Sequence, residues 1–132
     1  MASGAGNIET RVQRVLVLGG YGAFGARVAE RLARVPGTDL TIAGRSRDKA
    51  EAFAATLARE ARAQVIPAAL DGGKIGVDDL LQRKPAVLIN ATGPYQGQDY
   101  RLARACMAAG THYLDLADAR TFVTGIAELD AQ

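Results

Sequence analysis

The chain has 132 residues, 16 Lys and Arg against 14 Asp and Glu, 48% hydrophobic and 23% charged residues, one cysteine and one histidine. That length suits a single domain with a core of its own, and the composition excludes the disordered and fibrous classes. No apolar run approaches the roughly 20 residues of a membrane helix, Met1–Thr10 lacks a secretory pattern, and Cys106 alone closes no disulfide, so a cytoplasmic protein with no membrane partner and no structural metal is expected.

Residues 1–10 (MASGAGNIET) are small and polar and are expected to form a disordered leader, with the folded domain spanning 11–132. Arg14–Gly19 (RVLVLG) is a short apolar run ending in glycine, the pattern of a strand buried on both faces of a parallel sheet. From Ala23 to Val35 the period changes: Phe24, Val28 and Leu32 stand four apart with Arg27, Arg31 and Arg34 opposite, which predicts an amphipathic helix with that apolar stripe as its core face. Pro36-Gly37 ends it, and Leu40–Ala43 supplies a second strand.

Ser46 is an expected N-cap for a helix to about Ala61, with Asp48 and Glu51 near its positive end and Phe53 and Leu57 inward. Gln64–Leu70 reads as a third strand, and Pro67 places it at a sheet edge, because proline donates no ladder hydrogen bond. Asp71-Gly72-Gly73 is a turn, Val77–Gln82 a short helix and Ala86–Ala91 a fourth strand. Gln98–Ala109 is a helix capped by Gly110, His112–Leu116 a fifth strand, and Ala119 to about Asp130 opens a last helix. This alternation predicts right-handed βαβ crossovers and a Rossmann-type doubly wound parallel α/β sheet, order 3-2-1-4-5, with helices on both faces and ligand at the carboxyl ends of strands one and four.

Gly20-Tyr21-Gly22-Ala23-Phe24-Gly25 fits G-x-G-x-x-G, and here it follows a predicted strand and opens a predicted helix, the context that makes it a dinucleotide fingerprint. Gly20 is expected to permit the tight turn, Gly22 to admit the pyrophosphate to the backbone, and Gly25 to let the helix pack closely on the sheet. The pyrophosphate would then sit on the helix N-terminus, where unpaired N–H groups and the dipole favour negative charge.

A basic excess in the first half, 10 Lys and Arg against 6 Asp and Glu over residues 1–66 compared with 6 against 8 over 67–132, agrees with an anionic small ligand. No dense Lys/Arg cluster interleaved with aromatics points to nucleic acid. About twenty residues past the fingerprint, where an NAD site places Asp or Glu on the ribose hydroxyls, the chain has Gly44-Arg45-Ser46-Arg47. Arg45 offers a planar fork to a 2′-phosphate, Ser46 a hydroxyl and Arg47 further charge, so NADP(H) is favoured over NAD(H).

Asp71 is a candidate acceptor for the adenine amino group, and equally a plain turn aspartate. Asn90-Ala91-Thr92-Gly93-Pro94 leaves the fourth strand facing the first, where ribose and nicotinamide would lie. His112 starts a strand just after a helix cap, with no visible partner that would make it an acid or base. Cys106 reads as a small core residue. Of Asp115 and Asp118, the second is the better placed to face the cleft. No catalytic residue is assigned.

The motifs GGYGAFG (Gly19–Gly25), AGRS (Ala43–Ser46), NATGPY (Asn90–Tyr95) and ACMAAGTHYLDLAD (Ala105–Asp118) resemble the N-terminal NADP-binding domain of the saccharopine dehydrogenase family. The resemblance implies hydride transfer between a nicotinamide cofactor and an imine or secondary amine. It carries Gly20, Gly22, Gly25, Arg45 and Ser46 over as cofactor contacts and Asn90–Pro94 as the nicotinamide-side loop. Family members continue into a substrate-binding and dimerisation domain, so this chain is expected to be a fragment or a half-enzyme whose substrate is held elsewhere, and a homodimer is compatible with the resemblance. The rival from another class is a binding module that senses NADP(H) without chemistry. A short-chain dehydrogenase would show Tyr-x-x-x-Lys, whereas Tyr95, Tyr100 and Tyr113 are followed four residues later by Asp99, Arg104 and Ala117; a P-loop would show Gly-Lys-Ser/Thr, which does not occur.

Overall fold

The structure is a computed structural model and describes residues 12–92 and 100–115. Strand β1 (Gln13–Leu18) is followed by α1 (Ala23–Leu32), β2 (Thr38–Gly44), α2 (Arg47–Ala58), β3 (Gln64–Ala69), α3 (Val77–Arg83), β4 (Val87–Asn90), α4 (Arg101–Ala109) and β5 (His112–Asp115). The five strands form one sheet in the order β3-β2-β1-β4-β5, with all pairings parallel. The expected topology is therefore the observed one, and Pro67 does lie on an edge strand, beside Ile42 of β2. Gln98, Leu116 and the helix from Ala119 lie outside the described residues.

From Val15 to Leu18 β1 is apolar without interruption because both of its faces are covered there. Leu16 and Leu18 turn to one side, where they join Leu80 of α3 and Leu102, Ala105 and Cys106 of α4. Val15 and Val17 turn to the other, with Ala29 of α1 and with Leu40 and Ile42 of β2. Period-two alternation on the central strand thus feeds two cores at once. Fixed caps join the layers: the Ser46 side chain accepts from the Lys49 amide at 3.3 Å, and Gly110 closes α4 in the left-handed region at φ 77°.

The core face of α1 is the predicted one only in part: Leu32 packs against the cluster of Val15, Val17, Leu40 and Ile42, but the head of the stripe does not. Phe24 is 68% exposed and Val28 and Leu32 are half-buried, while Gly25, Ala29 and Ala33 are the buried positions. The cause lies at the start of the helix, where a Cβ on Gly25 would land inside the van der Waals envelope of the Gly19 carbonyl. Helix and glycine-rich turn pack so closely that only small side chains fit between them, and the contact stripe shifts one residue from the large apolar set. The helix is also shorter than predicted, ending at Leu32. In the turn itself the left-handed residue is Gly19, at φ 74°, rather than Gly20. Gly20 is buried, and a Cβ there would strike the Ile42 side chain.

Two outcomes follow from this packing. Gly25→Ala is expected to lower unfolding free energy by about 1–3 kcal/mol or more through overpacking, whereas Gly76→Ala, with nothing within 4 Å of a Cβ, leaves denaturant midpoints nearly unchanged. Equal midpoints for the two variants would contradict the close contact. Cys106 is fully buried, and burial pushes its thiol up to about 11. Because the folded value is the higher one, the unfolded chain releases its proton first; stability is intact at neutral pH and falls as pH rises from the ordinary thiol range towards about 11. Cys106→Ala is expected to flatten that alkaline decline in denaturation curves measured across the range.

Candidate functional site

Chain direction places the site. From β1 the chain moves outward to β2 and β3, then returns to β4 on the opposite side of β1. The loops leaving β1 and β4 therefore diverge, and a crevice opens above the strand ends. Leu18 and Asn90 pair across this point, and the Ala91 amide donates to the Leu18 carbonyl at 2.9 Å. The crevice is a cleft of about 880 Å³, within the 300–1,000 Å³ or so typical of small-molecule sites. Its walls are the glycine turn, the Gly44–Arg45 corner, the Asp71–Gly73 loop and the Asn90–Thr92 bend.

The N-terminus of α1 faces this cleft without a cap. Gly22 supplies no side-chain acceptor and the first turn carries no acidic residue. The amides of Ala23, Phe24 and Gly25 donate to no other described residue. By contrast α2 has Asp48 in its first turn and α3 has Asp78 and Asp79. Uncapped N–H groups at a positive dipole end form an anion cradle. Gly22, Ala23 and Phe24 line the cleft; Gly20 and Gly25 stand behind it and hold the turn in place.

At the next corner Arg45 is exposed, lines the cleft and makes no hydrogen bond or ion pair with the described residues. Its guanidinium is thus open to a phosphate. Ser46 sits behind it: the oxygen that caps α2 still carries a proton to donate. Arg47 points elsewhere, 3.8 Å from Glu51 one turn along α2, and is not part of the cleft lining. Asp71 lines the cleft, with Oδ1 accepting from the Gly73 amide at 2.9 Å.

On the β4 side Asn90 is 97% buried, given its 3% exposure. Its Oδ1 accepts from the Thr92 amide at 3.1 Å and from the Thr92 hydroxyl at 2.5 Å. Its Nδ2 donates to the Tyr113 hydroxyl at 3.0 Å. The bend from Asn90 to Thr92 is thereby pinned by side chains at the mouth of the sheet. Gly93, Pro94 and Asp118 lie outside the described residues. His112 is exposed and is not in the cleft lining. Among the described residues no group of three His, Cys, Asp or Glu side chains converges to hold a metal, and no helix is long and apolar enough to cross a membrane.

Three lining residues with polar side chains, Tyr21, Arg101 and Tyr113, escaped the sequence reading. Tyr21 is a variable position of the fingerprint, yet its hydroxyl accepts from the Ser46 amide at 3.0 Å. Arg101, at the start of α4, donates to the carbonyls of Gly72 and Ile75 and so ties that helix to the Asp71 loop. Tyr113 carried one available signal: it shares a sheet face with Leu88, its register partner, and Asn90 lies two residues along that face.

The chain is 30% identical over 116 residues to "Putative trans-acting enoyl reductase Rv2449c" of Mycobacterium tuberculosis, a match that covers 87% of this chain and 27% of that protein. Among solved structures, L-sorbose reductase from Gluconobacter frateurii complexed with NADPH and L-sorbose superposes with a TM-score of 0.59 at 19% identity, over 76% of this chain and 48% of that one. A short-chain dehydrogenase from Sphingobium yanoikuyae in complex with NADPH gives 0.56 at 24% identity, over 79% of this chain and 53% of that one. At such identities these two likenesses show the fold alone. The family described as saccharopine dehydrogenase NADP binding domain matches residues 15–129, and the chain belongs to that family of NADP-binding domains.

Proposed function

We propose that this chain is the cofactor-holding part of an NADP-dependent oxidoreductase that moves hydride to or from the C=N bond of an imine or the corresponding secondary amine, with substrate held by protein beyond these 132 residues. One observation carries the cofactor half of this reading. A single cleft gathers the uncapped N-terminus of α1, the open Arg45 guanidinium and the pinned Asn90–Thr92 bend.

The residues present fit NADP(H). The amides of Ala23, Phe24 and Gly25 suit the pyrophosphate, with Gly22 admitting it to the backbone and Gly20 and Gly25 keeping turn and helix close. Arg45 and the Ser46 hydroxyl suit the 2′-phosphate, and Arg47 adds positive potential from the adjoining turn. The free edge of the Asp71 carboxylate suits the adenine amino group. Asn90, Ala91 and Thr92, continuing through Gly93 and Pro94, would run beside the nicotinamide and its ribose. The dinucleotide, when bound, supplies or accepts the hydride; the chain's part is to orient it and present one face at the switch point.

The imine assignment rests on the family, whose name is that of saccharopine dehydrogenase. A second reading, reduction of an enoyl C=C bond, is favoured by the name of the mycobacterial relatives, of whose length the chain spans 27%. NADPH oxidation by the longer protein, followed with a cyclic imine and with a 2-enoyl thioester, separates the two. A protein that only senses NADP(H) would bind it and turn over neither.

Calorimetric titration of this chain with NADPH and NADH tests the cofactor site. NADPH is expected to bind more tightly, and Arg45→Ala to weaken NADPH by roughly ten- to a hundredfold, the worth of a charge-assisted contact, while NADH stays within about twofold. Absence of binding to either nucleotide would overturn the reading for this chain.

A further inference from the structure

We infer that Tyr21, a variable position of the glycine-rich motif, is a specificity-determining residue for the cofactor: its ring takes the space of the ribose-binding carboxylate that an NAD site needs, and its hydroxyl donates into the 2′-phosphate subsite. The inference rests on the assignment of Arg45 and Ser46 to that phosphate.

In a Rossmann domain that selects NAD, the Asp or Glu that accepts from the ribose hydroxyls stands at the end of the second strand. Here the last residue of β2 is Gly44, and a Cβ on it would land within the van der Waals envelope of Tyr21 Cε2, Cζ and Oη. The aromatic ring lies directly where a side chain at position 44 would begin. The half-buried ring also packs against the core cluster that contains Val17, Leu40 and Ile42. Thus a side chain at position 44 collides with a residue 23 positions earlier in the chain unless that ring moves aside, and the conflict is steric.

The Tyr21 hydroxyl oxygen accepts from the Ser46 amide at 3.0 Å. Its own proton has no acceptor among the described residues, although the side chain lines the cleft beside Arg45. A phenol that accepts from a backbone N–H is a better donor through its O–H, because the two hydrogen bonds polarise each other. A phosphate held by Arg45 and the Ser46 hydroxyl would find this third donor at the same corner. The same bond ties the glycine turn to the start of α2, so the pyrophosphate and 2′-phosphate subsites keep a fixed separation.

Titration of this chain and its variants with NADPH, NADH, adenosine 2′,5′-bisphosphate and 5′-AMP tests the inference. Tyr21→Phe keeps the ring and removes the donor; NADPH and the 2′,5′-bisphosphate are expected to weaken about three- to tenfold, with NADH and 5′-AMP within about twofold. Placing Gly44→Asp in a Tyr21→Ala background is expected to raise NADH affinity above that of Tyr21→Ala alone, since the carboxylate then has room. Tyr21→Phe weakening all four ligands alike would show a merely structural role and overturn the inference, as would NADH gained by Gly44→Asp with Tyr21 intact. Arg45→Ala run in parallel keeps the two levels apart. If it leaves the NADPH preference unchanged, the phosphate assignment itself has failed; if it abolishes the preference while Tyr21→Phe does not alter it, only the role of Tyr21 has.

Discussion

The close seating of α1 against the glycine-rich turn is the constraint on which the rest of the molecule depends. With no side chain at Gly25, the first turn of the helix rests on the Gly19 carbonyl, and the turn in turn hangs on β2 through the Gly19 and Gly20 amides, which donate to Ala43 at 2.8 and 3.3 Å. That seating aims the helix N-terminus along the carboxyl ends of the strands. Move the helix outward by the width of a methyl group and the anion cradle moves with it. A local steric allowance therefore sets the position of an uncapped, electropositive helix end.

Around that fixed point the cleft is assembled from parts distant in sequence. Arg101 reaches back 29 residues to Gly72, Tyr21 accepts from Ser46 across 25, and Asn90 meets Tyr113 across 23. Each bond ties one side of the crevice to another, helix to loop, turn to turn or strand end to strand, so the walls are held by side chains while the floor is held by the parallel ladder. Such a site is pre-formed, which limits the ordering a ligand must impose on binding. It also divides the work: the described lining offers hydrogen-bond donors, acceptors and positive charge for orienting a dinucleotide. The proposed function leaves the substrate to be held by other protein.

Much of the fold was legible because its signals are local. The apolar stretch within Arg14–Gly19 reads as a strand covered twice, Pro67 as an edge residue, Ser46 as a helix cap and Gly110 as a helix end, and each of these needs only neighbouring residues to be read. The glycine loop, Arg45, Asp71 and the Asn90–Thr92 bend were placed at the cleft by the same means, through motif spacing on predicted elements. What was misread or missed depends on tertiary contact. Phe24 looked like the head of an apolar stripe, but the small residues Gly25 and Ala29 won that face because the helix had to come closer than a phenylalanine allows. Tyr21, Arg101 and Tyr113 carry no pattern in their own segments; their partners are set by sheet order and register. Arg47 followed Arg45 by composition, but helical geometry turned it towards Glu51.

The central claim is that the carboxyl-end cleft, shaped by the seating of Gly25, is where the dinucleotide sits. Amide-resolved NMR of the labelled chain during NADPH addition tests it most directly. The account predicts shifts concentrated at Gly22–Gly25, Arg45–Ser46 and Asn90–Thr92, with the opposite end of the sheet unmoved. Shifts centred instead on the small amino-end cavity of about 190 Å³ beside Arg14, Asp39 and Arg83 would contradict it.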